Sequence, residues 1–463
     1  MKEAAMKSQF LNMAVLSLVL LFNPQMYAQS DGNYRSIQSG NWNSLSTWEV
    51  YGSGVWALAS QVPDHSNSTE IRVRSGHTVT ITATATADQV VVEASAELVL
   101  NDSKTLTVMD GTGEDMTING TLQCHGHLAG NGLTGQVIIN GTLNWDGGSV
   151  TVPNVTIANG AQVNISGSND KSFRYSAMNV SGTVTWTGTG RITGGAGANM
   201  SIGVIGVLDI QNDASFQYDN GGGILSITNA GLVKKTGGTG TTNVSSAYLH
   251  NTGTVELQSG TLSHSGSGTH SGTFTIAAGC SLIIASGAST TGDGTLYQGE
   301  GSLLLTGGSL SCTGTTTGTI VSNQTKFLLT GGEVNGAGKL TVQGEMNWGG
   351  NTYINVTSLT LSGTAALTIS GTQNKSFRFG RIYNNSTVTW TGTGNFTGGA
   401  GAIFDNLSGG TFDIQNDANF SNDGGGGTLT FNNAGLLKKS AGDGNSSFVS
   451  AQINNTGSVQ VQS

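Results

Sequence analysis

From Glu70 onward the chain alternates apolar and polar residues in short bursts, as in IRVRSGHTVTIT, QVVVEASAELVL and KTLTVMDG. A period of two over four to six residues predicts a half-buried β-strand, with alternate side chains sent inward. The bursts are separated by Asn and Gly, residues that tolerate the left-handed backbone of a sharp corner. Asn119-Gly-Thr-Leu, Asn140-Gly-Thr-Leu, Asn229-Ala-Gly-Leu-Val, Asn251-Thr-Gly-Thr-Val and Asn455-Thr-Gly-Ser-Val each open such a strand. Their spacing is mostly about 20–30 residues, the length of one solenoid coil. No stretch after the first residues has a helical period with caps. The pattern predicts an all-β fold, a parallel β-helix or β-solenoid of roughly 18–20 coils with an aromatic-rich N-terminal cap. At about 4.8 Å per coil the rod is on the order of 90 Å long. Stacked hairpins in a sandwich or barrel are the competing all-β arrangement. Coil stacking sets like above like, so corner asparagines are candidates for hydrogen-bonded ladders.

A second, longer period overlies the first. Asn144–Ser259 carries TVTWTGTG, GGAGA, LDIQNDA, DNGGG, NAGLVKK and HNTGTVELQS, and Asn347–Ser463 repeats the series as TVTWTGTG, GGAGA, FDIQNDA, DGGGG, NAGLLKK and NNTGSVQVQS. Trp186 maps to Trp390 and Asp209 to Asp413, each 204 residues on, while the start slips by one so that Trp145 matches Trp348. Coils therefore lie inside a larger unit, and residues 144–346 and 347–463 read as two such units after first coils at 70–143. The second unit stops at Ser463 where the first runs on as GTLSHSGSGTHSG, so it reads as cut short, part of a longer protein.

Residues 29–69 differ from the repetitive remainder of the chain. Tyr34, Trp42, Trp48, Tyr51 and Trp56 cluster there, as expected of a cap that covers the first coil of a repeat array. A sugar-binding surface is the alternative. Residues 1–28 read as a secretory signal peptide, with basic Lys2 and Lys7, an apolar Phe10–Phe22 and cleavage near Ala28. That run is short for a membrane span and no second one occurs, so a secreted or cell-surface protein without a membrane span is expected.

Composition sharpens the fold and narrows the function. The chain has 72 Gly but 3 Pro, and abundant alternating Val, Ile and Thr argue against both collagen and disorder. The formal charge of −9, or −10 once Lys2, Glu3 and Lys7 are removed, disfavours nucleic acid as a partner. Cys124, Cys280 and Cys312 lie far apart without metal spacing and read as small buried hydrophobes.

Candidate chemistry comes in duplicate. Asp209, Asp213 and Asp219 recur as Asp413, Asp417 and Asp423 beside glycine-rich runs, candidates for a Ca²⁺ site built from carboxylates and turn carbonyls, or else turn formers on a solvated face. DGTGED at Asp110–Asp115 has the same two readings. Lys171 and Arg174, with Lys375 and Arg378, are candidates for contacting an acidic sugar, or an exposed loop with Phe173 and Phe377 tucked inward. Trp186 and Trp390 beside glycines are candidates for stacking on sugar rings, or ordinary packing at a wide corner. Catalysis needs one convergent set of groups, and the acids and bases here are repeated and dispersed. His264 and His270 sit in a loose polar run without a partner carboxylate nearby in sequence.

NYRSIQSGNWNSLSTWEV followed by IRVRSGHTVTIT resembles the N-terminal region of large secreted Bacteroidota-type surface proteins, and Asn251–Leu262 resembles repeats of bacterial adhesin and autotransporter-like proteins. The resemblance implies β-solenoid repeats and export to the cell surface through a C-terminal sorting domain. The function expected is a non-enzymatic adhesin or structural stalk that presents a repetitive polar surface to extracellular glycans or neighbouring cell-surface proteins. The alternative is a polysaccharide lyase or glycoside hydrolase of β-helix type.

Overall fold

The computed structural model describes residues 29–132 and 134–463, so the signal-peptide reading of residues 1–28 lies outside the described residues. The strands stack into three parallel ladders. The first begins with Glu70–Val73, the second with Thr78–Ile81 and the third with Ala85–Ala87. Among the described residues the third ladder contains 18 strands, one per coil, down to Ser458–Val461. Eighteen coils at about 4.8 Å make a rod of roughly 86 Å. Coils vary in length, from 18 residues between Val137 and Val155 to 28 between Phe216 and Val244. This is the predicted parallel solenoid; the hairpin alternative is confined to the N-terminus.

Alternation explains the core. In the second ladder Leu98, Leu122, Leu143, Val163, Val184 and Leu208 stand one above another, each fully buried. Burial of each such side chain stabilises by about 1.5–3 kcal/mol, and the column repeats with every coil. Residues between them, such as Thr121, Gln123, Thr142, Asn144, Asn164 and Thr185, face outward and are mostly polar.

The cap is built from β1 (Asn33–Ser36), β2 (Gly40–Asn41), β3 (Trp48–Gly52) and β4 (Val55–Leu58). β1 and β2 add a partial coil, parallel to Glu70–Val73 and Thr78–Ile81. β3 then runs antiparallel to β1, and β4 antiparallel to β3, turning the exposed edge away from further stacking. Trp42 and Trp48 meet edge-to-face at 5.1 Å over the first coil, and both indole N–H groups donate to backbone carbonyls, of Pro63 and Trp42. Trp56 stays partly exposed under the Arg35 guanidinium, 3.9 Å from its ring centre.

One interior column changes chemistry along the rod. In the first ladder it runs Ile157, Val180, Ile202, then Asn229, Asn251, His270, Thr291 and Cys312. Asn229 donates from Nδ2 to Asn251 Oδ1 at 2.8 Å and to the Thr254 carbonyl, so both amide hydrogens are used. In the second unit the ladder is longer: Asn384 donates to Asn406, Asn406 to Asn433 and Asn433 to Asn455, at 2.8, 2.7 and 2.6 Å. The corner asparagines thus do form ladders, and inside the core. The second unit also exchanges aliphatic residues for aromatic ones. Ile192, Met200, Leu208, Ile227 and Val244 become Phe396, Phe404, Phe412, Phe431 and Phe448, which pack with Phe420 in a continuous stack.

The two units do not superpose by translation along the rod. Gln162–Ile165 is the second-ladder strand of the fifth coil, whereas its counterpart Ala366–Ile369 is the third-ladder strand of the fourteenth. The shift is nine coils and one strand, or 9⅓ coils. It arises because the 204-residue period fills 28 ladder positions, one more than nine full coils of three; Glu333–Val342 and Tyr353–Leu361 each fill a first- and a second-ladder position with one strand. The second unit is therefore turned by one face, a third of a turn, relative to the first.

Candidate functional site

Strand Lys171–Arg174 belongs to the third ladder and ends at a corner. Lys171 and Phe173 point inward, and Arg174 points out. Its guanidinium reaches past the next coil to Asp219, two coils on, with Nε 3.3 Å from Oδ2, and donates to the Gly221 carbonyl at 2.9 Å. The reach needs a residue without a side chain in between. That residue is Gly195, the register partner of Arg174, and a Cβ there would collide with the Asp219 carboxylate. Asp219 in turn accepts the Gly221 N–H at 2.8 Å. The GGAGA and DNGGG runs are thus the two walls of one clamp.

The clamp supports an exposed aromatic ring. Tyr175 lies at the corner itself with φ +56° and is 66% exposed, with the Arg174 guanidinium 5.5 Å from its ring centre. A left-handed backbone costs a non-glycine residue roughly 1–2 kcal/mol, and a bulky side chain adopts it rarely. Clefts of about 540 and 600 Å³ flank the ring. The first is bounded by Gly130, Thr151 and Pro153, the second by Gly197 and Gly221–Gly223, so ring and clefts form a ridge and furrow along one corner.

The second unit rebuilds the clamp. Arg378 Nε lies 3.1 Å from Asp423 Oδ2 and its guanidinium donates to Gly425 O at 2.5 Å, while Asp423 accepts the Gly425 N–H at 2.8 Å. Gly399 takes the place of Gly195. Phe379 has φ +64°, is 71% exposed and lies 5.3 Å from the guanidinium. Tyr becomes Phe, so what recurs is the ring and its strained corner, not the hydroxyl.

No protein-family model matches this chain, and no curated protein does either. The site therefore has to be read from its own chemistry.

The remaining sequence candidates are placed differently. Trp186 and Trp390 are fully buried, Trp186 edge-on to Phe216 at 4.7 Å, so neither ring face is open to a sugar; inward alternation in TVTW puts them in the core. Lys171 and Lys375 are buried strand residues rather than parts of an exposed loop. Lys171 Nζ donates to the carbonyls of Ser166, Gly167 and Asn169, and Lys375 Nζ to that of Gln373, closing corners from within. Burial pushes both ammonium pKa values down. Only Arg174 and Arg378 of that group reach the surface site.

The repeated acids hold lysines. Asp209 faces Lys234 at 3.4 Å and accepts Thr236 Oγ1 at 2.6 Å; Asp413 faces Lys438 at 3.1 Å and accepts Ser440 Oγ at 2.6 Å. Asp213 and Asp417 accept Lys235 Nζ and Lys439 Nζ at 2.8 and 2.9 Å. Burial raises the Asp213 carboxyl, but hydrogen bonds from Lys235 and Gly240 and the Lys235 charge outweigh it and hold the pKa below the usual range. Asp115 likewise accepts the Gly111 and Gln136 N–H groups. Among the described residues no three His, Cys, Asp or Glu side chains converge as a metal site would require.

Cys124, Cys280 and Cys312 are buried free thiols. Among the described residues no helix is long and apolar enough to cross a membrane.

Tyr175 and Phe379 escape the sequence pattern. Strict alternation after Lys171 and Phe173 sends the next odd residue inward, and only the left-handed corner reverses it. The available signal was the phrase F-R-Y/F, in which an aromatic persists while the flanking Asp170 and Ser176 become Asn374 and Gly380.

Proposed function

We propose that the chain is a non-enzymatic, rigid β-solenoid stalk that binds neutral glycans outside the cell, the Tyr175 and Phe379 ridges being its contact points. The observation that carries this reading is the pair of exposed rings, each held at a strained corner by an arginine–aspartate clamp. Strain kept at a surface position points to use of the ring, because glycine would relieve it. An aromatic face stacks on the C–H face of a sugar while the adjacent backbone carbonyls and Thr151 offer hydrogen bonds. The arginine charge is balanced by its aspartate and the chain is acidic overall, which favours a neutral glycan over a polyanion. The leader at residues 1–28 and the resemblance to secreted surface proteins support the location. The carboxylates nearest the rings are engaged by arginines, which supports binding rather than bond cleavage.

Affinity electrophoresis through gels containing neutral β-linked polysaccharides tests the reading, with a parallel assay for new reducing ends. Retardation of the wild-type chain, its loss in Y175A/F379A and no sugar release are expected. Free migration in every gel, or release of sugar ends, would refute it.

A further inference from the structure

The ridge at Tyr175 runs along the rod rather than around it. Gly130, Thr151, Arg174, Ala196 and Gly221 come from five successive coils and bound the two clefts in that order. Four coil steps of about 4.8 Å give a furrow of roughly 19 Å, long enough for several sugar rings lying parallel to the axis.

The two ridges are on different corners. Tyr175 lies between a third-ladder strand, Lys171–Arg174, and a first-ladder strand, Ala177–Val180. Phe379 lies between a first-ladder strand, Lys375–Arg378, and a second-ladder strand, Arg381–Asn384. They are separated by 9⅓ coils, about 45 Å along the axis, and by a third of a turn around it. A stiff glycan aligned with the first furrow runs along its own corner and passes the second ring on a neighbouring face. One straight chain does not meet both rings.

From this divergence, and resting on the glycan-binding reading above, we infer that the protein cross-links: it holds two separate neutral β-linked glycan chains, one on each of two corners, both alongside the rod. The sites are independent, because the clamp at each is completed within its own unit.

Titration with cellohexaose, followed by light scattering with soluble hydroxyethyl cellulose, tests the inference on the full chain. The expected stoichiometry is two hexasaccharides per wild-type chain, one for Y175A or F379A and none for the double variant. Scattering should rise several-fold with wild type and stay at baseline with either single variant, although each still binds. Y175F should behave as wild type, since the second site already uses Phe, and it controls for misfolding. Two bound hexasaccharides without a scattering rise, or a single variant that still cross-links, overturns this inference while the binding reading stands. Absence of cellohexaose binding by the wild-type chain overturns both.

Discussion

The interior asparagine ladder permits a test in which the chain supplies its own control. Asn406 is buried and makes three hydrogen bonds: it accepts from Asn384, and donates to Asn433 Oδ1 at 2.7 Å and to the Leu436 carbonyl at 3.1 Å. The first unit has Ile202 at the equivalent position and Val180 where the second has Asn384. N406I therefore inserts a side chain that this fold already accommodates, yet it strands an Asn384 hydrogen, the Asn433 oxygen and the Leu436 carbonyl. At about 1–3 kcal/mol for each of the three unsatisfied buried groups, less about 1.5–3 kcal/mol from burying the isoleucine, the net loss is about 1.5–6 kcal/mol. N384V/N406I removes the stranded Asn384 as well. Asn433 then heads the ladder, as Asn229 does in the first unit, where its Oδ1 accepts the Gly231 N–H at 3.1 Å. The double variant should cost less than the sum of the two single ones by at least about 1 kcal/mol, the signature of residues sharing one network. Urea midpoints at unchanged slope, followed by tryptophan fluorescence, measure this. Strict additivity, or an N406I loss below about 0.5 kcal/mol, would refute the reasoning.

Further outcomes rest on other residues. His264 and His270 are buried, and burial lowers their pKa values from 6.5 to about 4 and about 3. The unfolded chain binds protons below pH 6.5 that the folded chain refuses, so stability falls as pH drops, by about 2 kcal/mol per histidine at pH 5. The urea midpoint should fall from pH 8 to pH 5, and less so in H264Q/H270Q; an equal fall in both would count against it. Y175G should relieve the left-handed corner and hold or raise stability, by up to about 1 kcal/mol, while reducing the bound glycan from two chains to one. A clear loss of thermal stability instead would mean that the ring is a packing residue. Trp145 donates to the Gly147 carbonyl at 2.8 Å, whereas Trp186 Nε1 has no protein partner. W145F should accordingly cost about 1 kcal/mol more than W186F in denaturant, and equal losses would contradict this.

Much of the architecture was legible because period two, corner residues and coil spacing are local signals. The ladder of Asn229 and Asn251 was readable in the same way, since stacking like over like follows from repetition. The site was less so. Trp186 and Lys171 looked exposed from their polar neighbours, but strand alternation assigns each inward, and the buried lysine finds carbonyls that no sequence pattern marks. Arg174 lies at the surface, yet its partner Asp219 is 45 residues away and is reached only across Gly195. The orientation of Tyr175 depends on one φ angle. The turn between units depends on the 204-residue period filling 28 ladder positions, not a multiple of three, and uneven coil lengths hide that count in the sequence.

The direction of the ladders has a mechanical consequence. Strands lie across the rod, so the backbone hydrogen bonds between coils point along its length, and tension applied at the ends loads them one coil at a time. Such a rod yields by peeling, at a force set by a single coil and independent of how many remain. Each released coil of 18 to 28 residues supplies roughly 60–95 Å of slack at about 3.4 Å per residue. A tether built this way lengthens in steps under shear while the coils still stacked keep their grip.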